Sequence, residues 1–365
     1  MVIRRRYTTV LALLVLALLG PSVAMAGGQG ESPAAELPAP EGVSEVEEDA
    51  VDENGHAVLP HVEAVSLESG ERVRVVATTN IIGDVAQNII GDRADITVLI
   101  PHGQNPHGYS PAPRAVAAIE RAHVVFVNGF DLEEGLLDTV ETAATGYIVP
   151  VSAGIEADAD DHADDHAAGD HADDHADDHA DDHAAGDPHV WFDPTNVMVW
   201  VENIERVMSD LVPSESGSFA QAAAQYTEQL RDLDADIRRR VEMIPQDQRK
   251  LVLDHASMDH FADRYGFEVI GAVIPSTSDQ AEPSAQAVAR LVEVIRRERV
   301  PAVFVGATAS QGLERLVNAV ADEVGREIRI GTLLTGSLAL KGETGDTYLT
   351  YMEHNVTQIV ENLTD

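Results

Sequence analysis

Between Asp158 and Asp187 the chain is built almost wholly from aspartate, histidine and alanine, as DADDHADDHAAGDHADDHADDHADDHAAGD. His162, His166, His171, His175, His179 and His183 recur every four or five residues, nearly always behind a pair of aspartates. Neutral imidazole suits zinc, copper and nickel, and the carboxylates add charge and oxygen donors. The tract has no large apolar residue, so it buries too little surface to offset the entropy of ordering itself. A flexible, solvated loop is expected over residues 157–187. An acidic spacer alone would not require a histidine in every unit. Such a loop would hold several ions weakly, as auxiliary sites serving a fixed one.

The fixed site is sought where open α/β sheets bind ligands, beyond the carboxyl ends of the strands. His107 lies in the loop after an apolar run ending at Ile100, and His255 follows directly on a run ending at Leu253. His189 stands between Pro188 and Trp191, just before a helix start. Three imidazoles from distant parts of the chain would give three-nitrogen coordination, which suits zinc. The alternative for each is a histidine satisfied within the structure. That reading is preferred for His123, which precedes a core strand, and for His354 near the C-terminus. His102 and His260 lie close enough to compete for the role. Tyr109, Trp191, Phe192 and Phe261 are read as packing around the site.

These positions presuppose a regular scaffold. Short β-rich runs stand at 73–77, 96–100, 124–127 and 147–149, and again at 250–253, 269–273, 302–305 and 328–333. Helical patterns fall between them, which argues for parallel sheets with helices on both faces. Asp193-Pro194 reads as an N-cap followed by proline at the first helical position. From Ser214 to Met243, Phe219, Ala223, Tyr226, Leu230, Leu233, Ile237 and Val241 recur at helical spacing. Two α/β lobes, 72–213 and 245–365, joined by a long helix over 214–244, are expected, with the site in the cleft between them.

The N-terminus reads as a secretory signal over residues 1–26: three arginines (Arg4 to Arg6), an apolar run from Val10 to Leu19, then Ala24-Met25-Ala26. The apolar run is too short for an ordinary membrane-spanning helix. Residues 27–71, rich in Gly, Pro, Ala and Glu, read as an acidic disordered tether. The chain has no cysteine, which excludes disulfides, zinc–thiolate sites and a lipid anchor on cysteine. A free periplasmic protein is expected. The formal net charge is −39. Thirteen aspartates lie in the tract and twelve acids between Glu31 and Glu71, but the remainder still outnumbers the 24 Lys and Arg. Nucleic acid and anionic surfaces are poor partners for such a chain.

Three segments, NPHGYSP, PHVWFDP and LDHASMDHFADRYGFEVIG, resemble motifs of the cluster A-I (cluster 9) substrate-binding proteins. These are the extracytoplasmic zinc- and manganese-capturing components of ABC importers. The resemblance runs from about Arg72 to Asp365. It implies two Rossmann-like lobes joined by a rigid helix, a metal between them, a membrane ABC permease as partner, and a protein expected to act as a monomer. It places the family's histidine ligands on His107, His189 and His255. The acidic histidine-rich loop resembles that of the zinc-specific branch. The sequence departs from the pattern at Gly336, where many members carry an aspartate ligand. That weakens manganese, which prefers oxygen donors, and leaves the fourth position to water or to a histidine of the loop.

Other classes remain in view. A three-histidine zinc with an open position is also a hydrolytic site, but no HExxH occurs and no positioned general base is evident, so no enzyme is expected. A manganese-importing homologue and a periplasmic zinc buffer without a transporter are the other readings.

Overall fold

The computed structural model describes residues 57–156 and 186–364. The expected signal segment, the tether up to residue 56, and the histidines of the Asp/His tract (His162, His166, His171, His175, His179, His183) lie outside the described residues.

Four strands, β1 (Val73–Ala77), β2 (Ala94–Val98), β3 (Val124–Val127) and β4 (Tyr147–Pro150), form a parallel sheet in the order β2-β1-β3-β4. In the second half β5 (Lys250–His255) pairs with β6 (Glu268–Ile274), and β7 (Ala302–Gly306) with β8 (Arg329–Leu333), all parallel. These are two separate two-stranded sheets, with β5 lying beside β7, so the spatial succession β6, β5, β7, β8 parallels that of the first half without a hydrogen-bonded ladder at its centre. Parallel neighbours require crossovers. These are helices: α1 (Asn80–Ile90), α2 (Pro113–Ile119) and α3 (Leu137–Ala143) in the first half, then α6 (Asp259–Tyr265), α7 (Ala285–Glu298) and α8 (Gln311–Glu323) in the second. Between the halves run α4 (Pro194–Leu211) and the 26-residue α5 (Ser216–Val241), and α9 (Tyr348–Thr364) closes the chain.

The inner strands β1, β3, β5 and β7 are largely buried on both faces because both are covered. Val73, Val75 and Ala77 of β1 and Val124 and Phe126 of β3 point into one core, whereas Val76, Val125 and Val127 point into another with α2 and α3. The second half follows the same alternation. Leu251, Leu253, Ala302 and Phe304 enter the first core, and Val252, Val303 and Val305 enter a third, lined by α7 and α8. The first core therefore belongs to both halves. It is filled between them by α1, α4, α5 and α9, with Trp191, Phe192 and Trp200 among its largest side chains.

The local signals act as their chemistry dictates. Asp193 caps α4 by accepting the N–H of Thr195 at 2.7 Å, with Pro194 at the first position. Thr79 caps α1 through Ile82 N–H. The seven buried positions of α5 are the seven that recur at helical spacing in the sequence. Two expectations need correction. The segment from Ala57 to Glu71 is not tether. Val62 is buried, Leu59, Val65 and Leu67 pack on the central core, and Val65 N–H donates to Leu211 O at 3.1 Å. These few apolar residues are spaced among glutamates, which hides them in any composition average. The second concerns Asp187, counted with the flexible tract but bonded into the folded body, as described next.

Candidate metal centre

Each of the three candidate histidines is delivered by a strand end or a helix entrance. After β2 the ladder to β1 continues through Leu99 and Ile100, and the chain then turns into the loop that carries His107. His255 is the last residue of β5. His189 precedes a single 3-10 turn, Val190–Phe192, that leads into α4. All three are buried, and each offers a ring nitrogen such that these atoms all lie within 4.8 Å of one another. Nε2 of His107 is 3.2 Å from Nε2 of His189, and the ring centroids stand 5.3 to 5.8 Å apart.

Carboxylates fix two of the rings. His189 donates its Nδ1–H to Asp187 Oδ1 at 2.7 Å, and the same oxygen accepts the His189 backbone N–H at 3.0 Å. His255 donates its Nδ1–H to Asp254 Oδ1 at 2.8 Å, and the other oxygen of Asp254 accepts Gly306 N–H at 2.7 Å. A proton held on Nδ1 leaves the Nε2 lone pair bare and aimed inward, the arrangement that orients imidazoles towards a metal. The His107 backbone N–H donates to Asn105 Oδ1 at 3.1 Å. Trp191 stands edge-on to the His189 ring at 5.3 Å, and its Nε1–H donates to Tyr351 Oη at 2.9 Å. Asn128, at the end of β3, donates to Pro188 O at 2.9 Å and so holds the segment that carries His189.

The electrostatics suit a cation. Burial, reinforced by His189 and His255, lowers the His107 pKa from 6.5 to about 2. Burial likewise lowers that of His189. Burial also presses on His255, but its hydrogen bond to Asp254 and the charges of Asp254, Asp279 and Asp187 outweigh it, and its pKa is raised. Asp187 is pushed up by burial, yet the charge and hydrogen bonds of His189 hold its pKa below the usual value. At 3.2 Å the Nε2 atoms of His107 and His189 can share a proton or, with both deprotonated, a cation. A zinc–nitrogen bond of about 2.0–2.1 Å fits nitrogens at such separations.

The other histidines stand elsewhere. His123 Nδ1 accepts Arg74 N–H at 2.9 Å, His354 is half-buried on α9, and His61 is exposed. His102 Nδ1 bonds Ala339 O at 2.7 Å, and His260 Nε2 bonds Asp187 O at 3.1 Å. Neither joins the group of three among the described residues. At Gly336 a Cβ would fall 2.6 Å from Pro106 Cδ and 2.9 Å from its Cγ. The proline ring next to His107 thus fills the space that a side chain at 336 would need. The carboxylates Asp187 and Asp254 escaped sequence reasoning. The signal was present in the Asp-Pro-His and Asp-His spacings but was masked by the abundance of aspartate around them.

The family described as ZnuA, zinc-uptake complex component A, periplasmic, matches residues 75–362. The manganese-binding lipoprotein MntA of Halalkalibacterium halodurans is 30% identical over 296 residues, covering 81% of this chain and 90% of that protein. The manganese ABC transporter substrate-binding lipoprotein PsaA of Streptococcus pneumoniae is 28% identical over 302 residues, with the same coverage. Among solved structures, the periplasmic zinc binding protein TroA from Treponema pallidum superposes with a TM-score of 0.68 at 26% identity, over 81% of this chain and all of that one. That similarity spans both halves of the fold and all three histidine segments, and the chain belongs to the periplasmic zinc-uptake component A family, whose members are metal-binding transport proteins and not enzymes.

Proposed function

We propose that this protein is the zinc-capturing component of an ABC importer, holding Zn2+ on His107, His189 and His255 and handing it to a membrane permease. The observation that carries the choice of zinc is the donor set: three imidazole nitrogens converge, and the nearby carboxylates Asp187 and Asp254 turn towards the outer ring nitrogens. Manganese favours oxygen ligands, and the contact of Gly336 with Pro106 leaves no room for an acid there. Water or a tract histidine completes the coordination. The protein acts outside the cytoplasm after export, and the Asp/His tract gathers zinc near the site. No helix among the described residues is long and apolar enough to cross a membrane.

A manganese-importing protein is the second reading, favoured by the similarity to the manganese lipoproteins MntA and PsaA. Titrating the metal-stripped mature protein with zinc and manganese in competition, with and without residues 158–183, decides between them. Zinc binding far tighter than manganese at one site that survives the deletion is expected. Manganese preference, or loss of the tight site with the tract, would overturn the proposal.

A further inference from the structure

The loop that follows β6 runs across the candidate site from one half of the molecule to the other. At its start Ser276 O accepts the N–H of Ala256, the residue after His255, at 3.0 Å. Internal bonds stiffen it: Ser276 N–H to Ile274 O at 2.9 Å, Ser278 N–H to Ser276 Oγ at 3.2 Å, and Gln280 N–H to Ser278 Oγ at 3.3 Å. At its far end Asp279 Oδ2 accepts Asn105 Nδ2–H at 2.6 Å. Asn105 is the residue whose Oδ1 accepts the His107 backbone N–H. The other oxygen of Asp279 accepts Gln280 Nε2–H at 2.7 Å, which lays the Gln280 amide over Gly108. A Cβ there would meet that amide at 3.1 Å. One strap thus touches the neighbours of His255 and of His107, which belong to different halves.

We infer that Asp279 and Asn105 are positioning residues: their hydrogen bond is a clasp across the cleft that holds His107 against the other two imidazoles and sets how fast the metal leaves. The inference rests on the three-histidine reading above. His189 and His255 are oriented by carboxylates adjacent in sequence, whereas the segment of His107 is gripped from the opposite half of the molecule. Relaxing that grip moves one ligand without disturbing either core, because Asn105 and Asp279 are only partly buried. The clasp is short and one of its partners is charged, which makes it stronger than a neutral bond.

The test uses the zinc-loaded mature protein and follows zinc release to a chromophoric chelator in excess. Asp279→Ala and Asn105→Ala should each speed release by about tenfold to a hundredfold, the range for lost outer partners of metal ligands. Their effects should not add in the double variant. The exchange Asn105→Asp with Asp279→Asn rebuilds the pair with donor and acceptor reversed and still offers an oxygen to His107 N–H. It should return release to near the wild-type rate, whereas Asn105→Asp alone places two carboxylates face to face and should be the fastest of all. Wild-type release from both alanine variants, or failure of the exchange to restore the rate when the thermal melt of the metal-free protein is unchanged, would overturn the clasp. His107→Ala serves as the independent arm. If it binds zinc as tightly as wild type, the three-histidine reading fails. If it loses zinc while the clasp variants behave as wild type, only the clasp fails.

Discussion

A single oxygen of Asp187 receives both the backbone N–H and the Nδ1–H of His189, at 3.0 and 2.7 Å. The two residues are one unit, in which the carboxylate fixes the ring's tautomer and its direction together. Asp187→Ala should therefore weaken zinc binding by about tenfold to a hundredfold while the metal-free protein still folds. Isothermal titration paired with a thermal melt measures both. Unchanged affinity would show that the packing against Trp191 and the Asn128 bond to Pro188 O hold the ring without the carboxylate.

On the proposed three-histidine reading His107→Ala removes a ligand rather than an orienting group, and it should cost orders of magnitude in tight zinc affinity. Competition against a chelator of known strength reads the loss. Deletion of residues 158–183 should reduce the number of weakly bound ions and leave the tight one, a difference visible in the stoichiometry of the same titration.

Gly336→Asp asks whether a carboxylate can be placed at this position. With Pro106 filling the space, the substitution should destabilise the fold by about 1–3 kcal/mol, as overpacking does, with no gain in manganese affinity. Adding Pro106→Ala should relieve the strain and move selectivity towards manganese. A single Gly336→Asp variant that melts at the wild-type temperature and takes up manganese would contradict the contact described.

Acid should strip the metal. His107 and His189 have lowered pKa values and remain bare at neutral pH, while His255, raised above 6.5, takes a proton first. Zinc affinity should be steady at alkaline pH and decline as pH falls through the histidine range, led by His255. For the metal-free protein the linkage is separate. His107 protonates near 6.5 when unfolded and only near about 2 when folded. The unfolded chain thus binds the proton first, and stability drops as pH falls below 6.5. For His255 the sign is opposite: its contribution is full below 6.5 and disappears as pH rises through its raised folded value. Chemical denaturation of metal-free His107→Ala and wild type across this range isolates the first effect. The two curves should differ in slope below pH 6.5.

Much of this arrangement is legible in the sequence because it follows from short-range chemistry. The β-rich runs, the Asp193-Pro194 helix entrance and the seven buried positions of α5 are periodic signals that need no tertiary information. His107 and His255 are legible because a parallel sheet directs its carboxyl ends to one side. What stays hidden is pairing over long separations. Nothing near Asn105 announces Asp279, and nothing near Gly336 announces the ring of Pro106. The packed segment from Ala57 to Glu71 is concealed for a related reason, since Val62 and Leu67 find their apolar neighbours far along the chain.

The apolar interior common to both halves limits how the cargo can be surrendered. Swinging the two halves apart like the covers of a book would wet Trp191, Phe192, Tyr351 and the inner faces of β1 and β5. Each large aromatic alone carries about 150–250 Å² of surface. Exposing several of them would cost as much as the marginal stability of a whole domain, about 5–15 kcal/mol. Release by parting the two halves is therefore disfavoured, and the shared core should stay closed while a permease takes the metal.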